Sequence, residues 1–146
     1  MDQSIEKHKL KGNFYIWQYK ERNPQRLCWN FTADIDACDS LLRLIGLMEQ
    51  SGFSSTKSIK TSIPANLQID VPNNRNKNWL TKSFIELRYL KPETDLWSIN
   101  PMNDSLEIIV GKNKMAEFKT AITRVKAGEG DFAISDKEEN HILYFW

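Results

Sequence analysis

Residues 106–134 read LEIIVGKNKMAEFKTAITRVKAGEGDFAI, and their reading decides the fold. Leu106–Val110 is an apolar run of strand length. From about Lys114 to Ala127 the apolar residues change to helical spacing, with Met115, Phe118, Ala121, Ile122 and Val125 on one narrow stripe. Asn113 is a candidate cap for this helix. Gly128 ends it, because glycine tolerates the left-handed conformation of a helix stop. Asp131–Ile134 is again a strand. The same succession of strand, helix, Gly stop and strand occurs from Leu27 through Ile59, and each copy is preceded by another strand. The expected architecture is one α+β domain over residues 10–146, with two helices packed on a mainly antiparallel sheet. A doubled ββαβ unit would place its subrepeats at 10–62 and 84–134. The copies share no residue-level identity, so a common arrangement used twice accounts for them better than duplication does.

Working outward, Leu10–Lys20 and Gln25–Phe31 read as strands joined by the turn Glu21-Arg22-Asn23-Pro24. The first strand alternates Phe14, Ile16 and Gln18 against Tyr15, Trp17 and Tyr19; the second puts Leu27, Trp29 and Phe31 on one face. A helix follows from about Ile35 to Gln50, with Thr32 or Asp34 as cap and Gly52 as left-handed stop. Its stripe of Ile35, Cys38, Leu41, Leu42, Ile45 and Met48 is widened by Leu44 and Leu47. Residues 53–83 are harder to read. Lys57–Ile63 has strand character, and so do Leu67, Ile69 and Val71 between Pro64 and Pro72, which limit them to an edge or a loop. Ser83–Leu90 is a strand, and Leu96–Ile99 pairs with Leu106–Val110 as a hairpin. Ile142–Trp146 is apolar on both faces, which suits a central strand. Residues 1–9 are polar and read as a frayed, flexible tail.

The ending Gly128-Glu129-Gly130-Asp131-Phe132-Ala133-Ile134, a polar turn, and Leu143-Tyr144-Phe145-Trp146 resembles that of some small bacterial α+β proteins, in which an amphipathic helix also precedes the motif. The resemblance spans about forty residues and implies no activity.

Composition narrows the function classes. Hydrophobic residues make up 40% and charged residues 27% of the 146, a globular balance. A chain of this length buries roughly 70% of its unfolded surface, so no disulfide or structural metal is needed. Lys and Arg number 20 against 19 Asp and Glu, which removes whole-molecule attraction to nucleic acid or acidic membrane. The polar first ten residues lack the apolar core of a secretory signal, and no apolar run reaches membrane-spanning length. Cys28 and Cys38 form no Cys-x-x-Cys, so reduced, buried thiols in a cytoplasmic protein are expected.

Catalytic chemistry finds little to work with. The imidazole bases are His8, in the expected tail, and His141, in the setting of a solvated turn histidine; neither makes a triad with a nucleophile. Two histidines and two separated cysteines lack zinc spacing, and the acidic run Glu129, Asp131, Asp136, Glu138, Glu139 lacks the calcium-loop pattern. No metal and no cofactor is implied. Glu129 and Asp131 on one strand would face the same way and could not flank a glycosidic bond, which needs carboxylates about 5 Å or more apart across it. Asp131 suits backbone donors at its turn instead. Gly111-Lys112-Asn113-Lys114 opens a helix, where anions are favoured, but has no phosphate-loop spacing.

Two surfaces remain. Arg75, Lys77, Lys82, Arg88 and Lys91, against the single acid Glu86 and interleaved with Trp79, Phe84 and Tyr89, have the composition of a single-stranded nucleic-acid surface, and the Tyr15, Trp17, Tyr19 face could add a stacking platform. Leu44 and Leu47 on the wide helix suit self-association or a protein partner. The favoured expectation is a non-enzymatic protein–protein interaction domain or small regulatory subunit. Nucleic-acid binding through Arg75–Lys91 is the alternative, and a small carboxylate-dependent enzyme comes third. Membrane association is not expected.

Overall fold

The expected alternations become nine strands in two sheets in the computed structural model of the chain, which describes residues 3–19, 27–63 and 79–146. The elements in order are α1 (Gln3–Lys7), β1 (Phe14–Tyr19), β2 (Leu27–Ala33), α2 (Ile35–Gln50), β3 (Ser55–Lys60), β4 (Trp79–Thr81), β5 (Phe84–Leu90), β6 (Trp97–Pro101), β7 (Ser105–Gly111), a 3-10 turn (Lys112–Lys114), α3 (Met115–Lys126), β8 (Phe132–Ser135) and β9 (His141–Phe145). Sheet one has the order β4-β1-β2-β9-β8 and sheet two the order β3-β5-β7-β6. The pairs β2–β9 and β5–β7 are parallel and all the others antiparallel. The fold is α+β, with helices packed on two mainly antiparallel sheets. As its apolar faces suggest, β9 has neighbours on both sides. The expected strand at Leu67–Val71 and the turn at 21–24 lie outside the described residues.

Order and direction reveal an internal correspondence. Sheet one without β4 runs β1-β2-β9-β8, and sheet two read in reverse runs β6-β7-β5-β3, with the same succession of antiparallel, parallel and antiparallel pairings. The repeated unit is thus ββαββ: β1, β2, α2, β3, β5, then β6, β7, α3, β8, β9. This corrects the expected subrepeats, because β5 belongs to the first unit and β9 completes the second. Each unit gives its last two strands to the other unit's sheet. The pairing is non-local, and local periodicity carries no trace of it.

The helices start differently. Asp34 caps α2 through Oδ1, which accepts from Ala37 N–H at 2.9 Å, while its Oδ2 accepts from Asn13 N–H at 3.0 Å. Gly12, at φ +80°, lets the chain pass this cap; a Cβ there would collide with Asp34 Oδ1 and Ala37 N. α3 has no side-chain cap, and Asn113 instead donates to Asp95 Oδ1 at 3.0 Å. Gly128 is a left-handed stop at φ +73°, as expected, whereas α2 ends on Ser51 at φ −66°, whose N–H reaches Leu47 O. Gly52 is not its stop.

The wide stripe of α2 is buried on several sides. α2 packs on α3, where Lys119 pairs with Glu49 at 2.8 Å and Lys126 with Asp39 at 2.5 Å, and also on α1. Leu44 is therefore fully buried and Leu47 packs half-buried against the core, which overturns the interface expected at these leucines. The expected tail is likewise corrected. Ile5 of α1 belongs to the core, Lys57 Nζ donates to Ile5 O and Glu6 O at 3.0 Å, and His8 Nε2 donates to Ser40 O at 2.8 Å.

Candidate functional site

With both inner faces committed to the core, the outer faces of the sheets are left to meet other molecules. On sheet two, alternation turns Ser58, Glu86, Glu107 and Asn100 outward in one row across four strands. These side chains satisfy one another: Ser58 Oγ donates to Glu86 Oε1 at 2.6 Å, and Asn100 Nδ2 to Glu107 Oε1 at 3.0 Å. Such a face is content in water.

The outer face of sheet one is aromatic. Tyr15 is followed across the sheet by Thr32, beside Trp146, and the next row holds Trp17, Asn30 and Tyr144. Trp17, Cys28, Asn30 and Ile142 are buried on this side, outside the main core cluster. Asn30 organises the layer. Its Oδ1 accepts from Trp146 Nε1 at 2.9 Å, and its Nδ2 donates to Trp17 O at 3.4 Å. Thr32 Oγ1 donates to Trp146 O at 2.6 Å, and Trp146 N–H donates to Phe31 O at 2.9 Å. Trp146 also stacks on Tyr144, with ring centroids 6.4 Å apart and planes 24° from parallel. Its indole is half-buried and fixed in orientation, while Tyr144 is 37% exposed.

The turn after α3 forms a rim to this layer. Arg124, Gly128, Glu129, Gly130, Asp131 and Trp146 line a shallow depression of about 690 Å³. Asp131 sits at φ +72° and its N–H donates to Phe145 O at 2.8 Å. The expected use of its carboxylate at the turn is not what fixes it, since the backbone makes that bond. Neither Glu129 nor Asp131 forms a salt bridge among the described residues, and both are exposed. Arg124 Nε donates to Glu129 O at 3.2 Å, with the guanidinium carbon 5.4 Å from the centre of the Phe132 ring.

The expected basic patch does not come together among the described residues. Arg75 and Lys77 lie outside them, and Trp79 stands in edge strand β4. Lys82 Nζ holds the β6–β7 turn through Met102 O at 2.7 Å and Asn103 O at 3.3 Å. Lys91 Nζ donates to Glu49 O at 2.6 Å near the end of α2. Arg88 is exposed on the outer face of sheet two, whereas Tyr89 points into the core, where burial raises its phenol above the ordinary value. Trp17 is fully buried and offers no stacking face. The helix entry considered for phosphate is occupied by its own contacts, Lys112 to Glu93 at 3.9 Å and Lys114 to Glu117 at 3.5 Å.

Reactive groups are similarly tied up. Cys28 and Cys38 form no disulfide and are buried, as expected. Burial, then Asp34 and Asp39, pushes the Cys38 thiol up to about 11, far from nucleophilic use at neutral pH. His141 is not the solvated turn residue expected. Its Nδ1 lies 3.0 Å from Ile99 O and 3.1 Å from Ile99 N on β6, and its carbonyl accepts from Trp97 Nε1 at 3.1 Å, so it joins the two sheets. Among the described residues no group of three or more His, Cys, Asp or Glu could hold a metal ion, and no helix is long and apolar enough to cross a membrane.

A signal that the sequence reading missed is the alternation Tyr144, Phe145, Trp146, which places two rings on the outer face. What local sequence could not give was Asn30, brought to Trp146 from 116 residues away. Comparison with family models, with curated proteins and with solved structures finds no match for the chain.

Proposed function

We propose that the chain is a non-enzymatic protein-binding domain that meets its partner at the Tyr144–Trp146 end of the outer face of sheet one. The observation behind this reading is the Tyr144–Trp146 stack, locked by Asn30 and Thr32 yet still reaching the surface. Rigid, part-exposed aromatic side chains give contact area at low entropic cost, and Tyr and Trp are enriched at interfaces. The carboxylates beside the stack, Glu129 and Asp131, would repel a phosphate backbone, which favours protein over nucleic acid. Two buried thiols outside any disulfide suit a reducing, cytoplasmic setting.

Affinity capture from host extract with wild type, Tyr144→Ser and Arg88→Ser tests the reading. Tyr144→Ser should weaken capture of the partner by about tenfold, the effect of losing a central aromatic, while Arg88→Ser, on the opposite sheet, leaves it unchanged. A partner held equally by Tyr144→Ser overturns the reading, as does salt-eluted nucleic acid that depends on Arg88.

A further inference from the structure

We infer that the depression beside Trp146 receives a cationic side chain, lysine or arginine, from a basic segment of the protein partner; this rests on the aromatic-face reading above. Three observations converge on a cation. The first is the close approach of the backbone. A Cβ on Gly130 would lie 2.6 Å from Trp146 Cα, so the turn is pressed against the Trp146 backbone, and Glu129, Asp131 and Trp146 line one depression. The second is charge. Two exposed carboxylates and one guanidinium line the depression, a formal balance of −2 + 1 = −1. Arg124 is already engaged with Glu129 O and the Phe132 ring, whereas neither carboxylate has an ion-pair partner among the described residues. The third is the indole, fixed through Asn30 and Tyr144 before any partner arrives. An aromatic face next to carboxylates attracts an ammonium or guanidinium by cation–π and charge-assisted hydrogen bonding together. The Asp131 turn costs no reorganisation, because its backbone bond to Phe145 O already holds it.

The test uses the full chain, isotope-labelled, titrated with an octapeptide alternating Lys and Arg with Ser and, separately, with the same peptide carrying Glu in place of the basic residues. The basic peptide should shift the Trp146 indole N–H and the amides of residues 128–131; the acidic one should not. The double variant Glu129→Gln with Asp131→Asn should weaken basic-peptide binding on the order of threefold to tenfold with an unchanged melting temperature, since asparagine accepts the left-handed backbone at residue 131. Arg124→Gln should tighten it. Equal binding of both peptides, shifts confined to another face, or no loss in the double variant overturns the inference. If the host partner is lost with Tyr144→Ser but held fully by the double variant, the aromatic face stands and the cation site falls. If neither change matters to the host partner, both fall.

Discussion

The two sheets share one plan and present opposite surfaces. In each, an antiparallel pair, a parallel pair and a second antiparallel pair follow in order, and the helix of each unit packs against the other. Yet sheet two turns a hydrogen-bonded row of Ser58, Glu86, Glu107 and Asn100 to the outside, while sheet one turns out Tyr15, Tyr144 and Trp146 over a buried Trp17. Their edges differ too. Beyond β1 the sheet continues into β4, but the equivalent edge at β6 is met by the His141 side chain at Ile99. Inward positions must stay apolar to fill the shared core, whereas outer faces and edges are free to change polarity. The face that departs furthest from a self-satisfied polar surface is therefore the natural place to look for binding.

Three experiments break or sharpen this comparison, beginning with the largest effect. If the units truly exchange strands, a chain divided between Asp95 and Leu96 should yield fragments that are each unfolded by circular dichroism and gain structure only on mixing. A first fragment that folds alone and cooperatively would show that its sheet does not need β8 and β9. Next, Phe118 of α3 touches Trp97 of sheet two at 6.1 Å and Phe145 of sheet one at 6.0 Å between ring centroids. Phe118→Ala should cost about 3–5 kcal/mol in denaturant unfolding, and an unchanged midpoint would mean the sheets are not joined through this ring. Smallest is the contrast between edge and face. His141→Ala, which frees the β6 edge, should cost about 1–2 kcal/mol, whereas Glu107→Gln on the polar face should stay within about 0.5 kcal/mol. Equal losses would erase the distinction between them.

How much was legible follows from the range of the interaction. The narrow stripe of α3 and the alternation of β1 were readable because each depends on neighbours within two turns or one pleat. All five stripe residues of α3, Met115, Phe118, Ala121, Ile122 and Val125, are buried. Leu44 and Leu47 exceed the stripe that a helix buried on one side needs, and only the packing of α2 on both α1 and α3 explains a stripe that wide. Lys82 and Lys91 looked like a basic patch in one dimension; in three they serve carbonyl oxygens in different turns. The aromatic layer was not legible: the run Ile142–Trp146 reads as a central strand apolar on both faces, and its part-exposed Tyr144 and the organiser of the layer, Asn30, follow only from the tertiary pairing.

The exchange of strands also sets a timetable for synthesis. β2 emerges early but lies beside β9, and Thr32 bonds to Trp146 across 114 residues. At about 5–20 residues per second on the ribosome, this edge waits several seconds or more for its neighbour. Until then the side of β2 that β9 covers in the folded protein has no native neighbour, and an edge of this kind recruits foreign strands. Such a chain should fold slowly for its size, because distant ends must meet before local gains accrue. Its yield in cells should then depend on translation speed and holding chaperones more than on its final stability.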